Sequence, residues 1–136
     1  MSISLFRRFT LLPIALWLIS LVLPAAGWGK GEMGPGWQIL LLGWMGLLNA
    51  QFGWVANIAF ACSIPPIMSD RQPSSTGQFV LSLGLALPTL QALFWSKVHT
   101  DQGDYAVEVG VGYYVWLLAM FIQIIFLNAA RRSPDA

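Results

Sequence analysis

Side chains that could hold a metal ion cluster in one polar segment of this chain. His99, Asp101, Asp104 and Glu108 are its only grouping of such residue types. One histidine among carboxylates binds a metal weakly, and the loose spacing shows no helical pattern that would aim the groups together. We interpret the cluster as a solvated acidic loop. The sequence therefore predicts no metal site, cofactor or catalytic residue here.

Nucleophilic and redox chemistry also lack the residues they need. Cys62 is the only cysteine, which excludes an intramolecular disulfide, a CxxC redox pair and a thiolate zinc cage. His99 is the only histidine, and no GxSxG elbow occurs, so no nucleophile has an evident base. We interpret Cys62 as a small apolar filler and predict a protein that is not an enzyme.

Uncharged amides are the sharper candidates, because they fall within long apolar stretches. One interpretation is a polar cluster that lines a small-solute path or binds a lipid headgroup. The other, which we favour, is interhelical hydrogen bonding that fixes the register of a bundle, worth about 0.6 kcal/mol each. The candidates are Asn49, Gln51, Asn57, Gln91 and Gln123.

These stretches predict four membrane spans in one integral-membrane domain covering residues 1–136. Charged residues make up 10% of the chain and apolar residues 57%, against about 25% and about 45–50% in soluble proteins. We expect an all-α membrane protein whose four transmembrane helices form an antiparallel bundle. A cleaved signal peptide is the alternative for the first span, whose apolar run exceeds the usual length. The spans are 9–26, 37–62, 79–96 and 112–130.

The spans contain no Asp, Glu, Lys, Arg or His. Ionisable groups inside the bilayer mark ion pathways and proton relays. Their absence from the spans argues against proton-coupled multidrug exporters of the small four-helix kind.

The second span carries a stripe of small residues. Its members recur every three or four positions and share one face of a continuous helix. Such a stripe lets another helix approach closely, so we expect it to be the packing seam of the bundle. At about 26 residues the span would be about 39 Å long, more than the bilayer core of about 30 Å. It must tilt, extend into the headgroups, or break near residues 49–53. The stripe comprises Gly43, Gly46, Ala50, Gly53, Asn57 and Ala61.

The connectors and their charges predict the orientation. Residues 27–36 form a glycine-rich turn, 63–78 a loop containing Pro65 and Pro66, and 96–111 a polar connector. The positive-inside rule then places both termini in the cytoplasm. The formal net charge of +1 argues against a nucleic-acid partner. The basic residues on the predicted cytoplasmic side are Arg7, Arg8, Arg71, Arg131 and Arg132.

Several stretches resemble small, uncharacterised four-span bacterial inner-membrane proteins. They are LISLVLPA at the end of the first span, then GWQILLLGW, FGWVANIAF and GYYVWLLAMF in that order. The resemblance implies the bacterial inner membrane and a four-helix topology. It implies no activity and no catalytic residues.

Three functional hypotheses fit these features. The first is a non-enzymatic protein that acts through contacts with other membrane helices, as an accessory subunit or a self-assembling bundle. The second is a small oligomeric channel or carrier for an uncharged or weakly polar solute. The third is an immunity protein against a membrane-targeted toxin. The expected partners are the lipid bilayer and other membrane helices.

Overall fold

The computed structural model describes residues 3–29, 31–68, 74–100 and 102–129. The fold is mostly helical, with one small antiparallel sheet. In chain order the elements are α1 (Ile3–Val22), β1 (Pro24–Trp28), β2 (Gly34–Pro35), α2 (Gly36–Leu42), a 3₁₀ helix (Gly43–Asn49), α3 (Val55–Met68), α4 (Ser75–Leu93), β3 (Lys97–Thr100), β4 (Gly103–Val109) and α5 (Val111–Ala129).

The sheet corrects the prediction of a purely α-helical protein. Its strand order is β2-β1-β4-β3, so it joins the two connectors that were expected to be irregular. Strand β1 pairs with β4 through Ala26 and Val109, and β3 pairs with β4 as a hairpin. Tyr105 and Val107 on β4 are partly buried while their neighbours are exposed, which is the period-two pattern of a strand. The two connectors therefore lie side by side in the fold.

The second predicted span is not one helix. Helix α2 has only seven residues and leads into a 3₁₀ helix, which ends where Ala50 adopts φ 55°. The chain then folds back, and the Gln51 amide N–H donates to the Gly46 carbonyl at 2.9 Å. Glycines at 43, 46 and 53 weaken a continuous helix because glycine is a poor helix former. We call residues 36–54 the cap segment.

The other helices differ from the predicted spans mainly at their ends. Helix α1 ends at Val22 because the chain enters β1 at Pro24. Helix α3 runs through Pro65 and Pro66 to Met68, where a loop was expected. A proline in the last turns removes a hydrogen-bond donor without forcing the chain out of the helix.

Helix α4 begins at Ser75, with the Ser74 hydroxyl capping it by accepting from the Gly77 N–H at 3.1 Å. It starts four residues before the predicted span 79–96, since the cap precedes the apolar run. Helix α5, Val111–Ala129, follows the predicted segment 112–130 closely.

Two helices of the described chain are long and apolar enough to cross a membrane. They are α4, Ser75–Leu93, and α5, Val111–Ala129. Helix α3 has 14 residues, or about 21 Å, which is shorter than the bilayer core of about 30 Å. The buried core joins α3, α4 and α5 through Ala56, Ala59, Phe60, Leu85, Met120 and Leu127.

Candidate functional site

Gln91 on α4 holds the break between the cap segment and α3. Its amide Nε2 donates to the Ala50 carbonyl at 2.8 Å, and its Oε1 accepts from the Phe52 N–H at 2.5 Å. A broken helix leaves backbone donors and acceptors without their usual partners. The Gln91 carboxamide donates to a carbonyl before the break and accepts from an N–H after it, as a neighbouring strand would.

Two further side chains tie the cap segment in place. The Gln51 Nε2 donates to the Lys97 carbonyl on β3 at 2.9 Å. The Trp54 indole N–H donates to the Leu40 carbonyl at 2.7 Å, so the end of the cap segment is bonded back to its first helix. The cap segment is therefore fixed to the sheet, to α4 and to itself.

Asn57, in the first turn of α3, is bonded to two other helices and to the end of the cap segment. Its Oδ1 accepts from the indole N–H of Trp17 on α1 and from that of Trp116 on α5, each at 2.9 Å. Its Nδ2 donates to the Trp54 carbonyl at 3.2 Å. Trp17 also stacks on Phe60, with ring centroids 5.9 Å apart. A single amide thus sets the relative positions of α1, α3 and α5.

Gln123 lies elsewhere, between α5 and the middle of α3. Its Nε2 donates to the buried Ser63 hydroxyl at 2.6 Å, and that hydroxyl donates to the Phe60 carbonyl at 2.7 Å. Asn49 ends the 3₁₀ helix with an exposed side chain. Of the five predicted amides, Gln51, Asn57 and Gln91 come together, while Asn49 and Gln123 stand apart from them.

Sequence reasoning missed two buried polar residues that lie outside this group. Ser63 and Gln78 fell in a predicted loop. The Gln78 Nε2 donates to the Leu127 carbonyl at 2.5 Å and links α4 to α5. Continued apolar periodicity through Pro65 and Pro66 was the signal that α3 extends and that Ser63 lies inside it.

The predicted packing seam does not lie along one helix face. Ala50 is in the turn, with an exposed side chain, and Ala61 is exposed on α3. Gly43 approaches the Trp54 ring, whereas Gly53 faces α4 at Ala92. Because the chain leaves the helix between residues 50 and 54, the small residues serve several close contacts rather than one stripe.

A cavity of about 410 Å³ lies where these elements meet. The cap segment, the start of α3, the sheet and the neighbouring ends of α1, α4 and α5 surround it. Its wall is largely aliphatic and aromatic, and Gln51, Asn57 and Gln91 are among its lining residues. Ligand sites commonly measure about 300–1,000 Å³ and combine apolar walls with few polar groups.

The acidic cluster belongs to the β3–β4 hairpin rather than to a loop. His99 pairs with Asp104 in the register of the two strands, and Glu108 lies on β4 with an exposed side chain. Asp101 is outside the described residues. Asp104 and Glu108 are four residues apart on an extended strand, or about 13 Å, so β4 does not bring these two carboxylates to one point.

No protein-family model, curated protein or solved structure matches this chain. The resemblance to four-span inner-membrane proteins remains a prediction.

Gly53→Leu tests the contact between the cap segment and α4. A Cβ on Gly53 would lie 3.2 Å from the Ala92 Cβ, so a leucine must push the turn away from α4. We expect a loss of about 2 kcal/mol in the free energy of unfolding, typical of overpacking. Thermal unfolding in detergent measures it. Ala61→Leu is the control, since the side chain of this second member of the predicted seam is exposed on α3. Equal stability of wild type and Gly53→Leu would contradict the packed turn.

Proposed function

We propose that this chain is a multi-pass inner-membrane protein without catalytic activity, which acts through contacts with other membrane helices. The observation that carries the proposal is how the polar side chains of the helices are used. Gln91, Asn57 and Gln123 all bond to other groups of the same chain. Such internal bonding supports a structural role for these amides.

The outward faces of α4 and α5 supply the proposed contact surface. On each helix, exposed apolar side chains recur every three or four residues, the spacing of one helix face. In lipid, such faces associate by packing rather than by the hydrophobic effect. The α4 face comprises Val80, Leu83, Leu87, Leu90 and Phe94, and the α5 face Val111, Tyr114, Leu118, Phe121 and Ile125.

Energy transfer between labelled copies in liposomes tests self-association. We expect transfer to persist when lipid dilutes the protein beyond random encounters, or a partner to co-purify in fixed stoichiometry from two mild detergents. Leu87→Ala and Leu118→Ala, identical changes at the middle of each face, identify the face involved. A monomer with no partner under both conditions would overturn the proposal.

We further propose four crossings with both termini in the cytoplasm. The sheet supports this arrangement, because pairing of β1 with β4 requires both connectors to share one side. With α1, α3, α4 and α5 as the crossings, the cap segment lies at the outer surface and lengthens the short α3. The arginine-bearing segments then share the cytoplasmic side.

Labelling of single cysteines tests this topology. In a Cys62→Ser background, Asp104→Cys lies on the hairpin and Thr76→Cys in the first turn of α4, and both native side chains are exposed. We expect a membrane-impermeant maleimide to label Asp104→Cys on intact spheroplasts. Thr76→Cys should react only after permeabilisation. Reaction of both variants in intact spheroplasts, or of Thr76→Cys alone, would contradict the orientation.

A channel or carrier finds less support. Its basis was a shared path lined by all five amides, and Gln123 bonds to Ser63 away from the cavity. The polar residues that line the cavity lie toward one end of the bundle. This arrangement favours a local binding space over a route across the membrane.

A further inference from the structure

Most of the aromatic and amide side chains that line the cavity beneath the cap segment use their hydrogen-bond donors within the described part of the chain. The Trp54 and Trp116 indoles donate to the Leu40 carbonyl and to Asn57. The Tyr113 hydroxyl donates to the Ala92 carbonyl. The carboxamide of Gln91 is occupied by the backbone of the break. A molecule entering the cavity therefore meets polar groups that are already paired.

One donor in the wall is an exception. Trp95 lines the cavity, and its buried indole N–H has no acceptor in the described part of the chain. A buried donor without a partner costs about 1–3 kcal/mol. This N–H is too deeply buried to be reached from the cavity, so Trp95 supplies no donor to a molecule bound there.

The few charged residues around the cavity also favour an uncharged occupant. Among the described lining residues none is acidic, and the one cation is Lys97, an exposed residue at the sheet edge. An anion or cation moved into such a space would lose its hydration without gaining enough partners. Apolar contact with Ile39, Trp54 and Trp116 is what the wall offers instead.

We propose that this cavity binds a neutral, mainly apolar molecule: an alkyl or isoprenoid chain with one uncharged polar end. The chain lies against the aliphatic and aromatic wall. The proposed function, contact with other membrane helices, requires no ligand, so this site would be an additional property of the chain. Its test does not depend on self-association.

Photolabelling of the full-length protein in nanodiscs tests the site. The probe is octanol carrying a diazirine, and mass spectrometry locates the labelled residues. We expect the label on Trp54, Tyr113 and Trp116 above the background on outward residues such as Leu87. Unlabelled decanol should suppress this label by about tenfold, and decanoate at the same membrane concentration should not.

A matched pair of variants separates the cavity from general partitioning into lipid. Ile39→Trp adds an indole from a cavity-lining position, whereas Leu41→Trp adds it on α2 at a side chain that is 62% exposed. Ile39→Trp should reduce labelling of Tyr113 and Trp116 by about tenfold. Leu41→Trp should leave it unchanged.

Three results would overturn the proposal. The first is a label spread evenly over the outward faces of the wild-type protein. The second is competition by decanoate as strong as that by decanol, which would indicate an anionic ligand held by Lys97. The third is unchanged labelling in an Ile39→Trp protein that retains its helical circular dichroism. The first two need no variant, so misfolding of Ile39→Trp leaves the proposal testable.

Discussion

Replacing Asn57 by leucine should lower the free energy of unfolding by about 3 kcal/mol, because two indole donors lose their acceptor at once. The Oδ1 of Asn57 accepts from Trp17 and Trp116, which come from α1 and α5. Leucine is of similar size, so the change removes the hydrogen bonds while largely retaining the volume. Unfolding by SDS in mixed micelles provides the measurement.

A double-mutant cycle separates the hydrogen bonds from packing. Trp116→Phe removes the donor and keeps an aromatic ring, so in the wild-type background it costs the bond and part of the ring contact. In the Asn57→Leu background this hydrogen bond is already lost, and the Trp116 indole N–H has no acceptor at Asn57. We therefore expect Trp116→Phe to cost about 1 kcal/mol less there than in wild type.

The same cycle with Trp17→Phe should give a coupling of the same sign, since the two N–H···Oδ1 distances are equal at 2.9 Å. Leu48→Ala is the control variant, because its side chain is 80% exposed and lies on neither proposed contact face. Additive effects of Asn57→Leu with both tryptophan variants would show that Asn57 does not hold the three helices together.

Long apolar runs without charged residues predicted the two long helices. In α4 and α5 apolar residues continue for about five turns, and Ser74 supplies a recognisable N-cap. Proline and polar residues were less reliable markers. Pro65 and Pro66 lie inside α3, because a helix near its C-terminal end can lose donors without ending.

The sheet was hidden because its pairing is non-local. The Ala26 and Val109 partners are far apart in the chain, and a strand of five residues such as Pro24–Trp28 carries little pattern of its own. The β3–β4 hairpin was detectable from the alternation of Tyr105, Val107 and Val109. The segment was predicted to be an acidic loop instead, because of its polar residues.

The sequence predicted which residues form the candidate site better than it predicted their contacts. The excess length of the second span left three outcomes open, of which a break near residues 49–53 was one, and the chain breaks at Ala50. Gln51, Asn57 and Gln91 were three of the five amides that the sequence singled out. Their partners could not be foreseen, because Gln91 bonds to backbone groups that a continuous helix would have satisfied internally.

Gly36→Ala should be the most damaging of the small substitutions, with a loss of about 3 kcal/mol in the free energy of unfolding. Gly36 is the first residue of α2, and its N–H donates to the Leu23 carbonyl at 3.0 Å. A Cβ at Gly36 would overlap the Ser20 carbonyl oxygen and lie 3.0 Å from the Leu21 Cα. These are backbone atoms of α1 and cannot rotate away.

Gly34→Ala is the matched control, two residues earlier in the chain. A Cβ there would approach the Gln38 Oε1 at 2.7 Å, but that atom ends a flexible side chain, and the nearest backbone atom is 3.7 Å away. We expect Gly34→Ala to stay within about 0.5 kcal/mol of wild type. Because the Gly36 contact holds the cap segment over the cavity, Gly36→Ala should also abolish the selective labelling of Trp54. Equal stability of the two variants would mean that α2 is not seated against the end of α1.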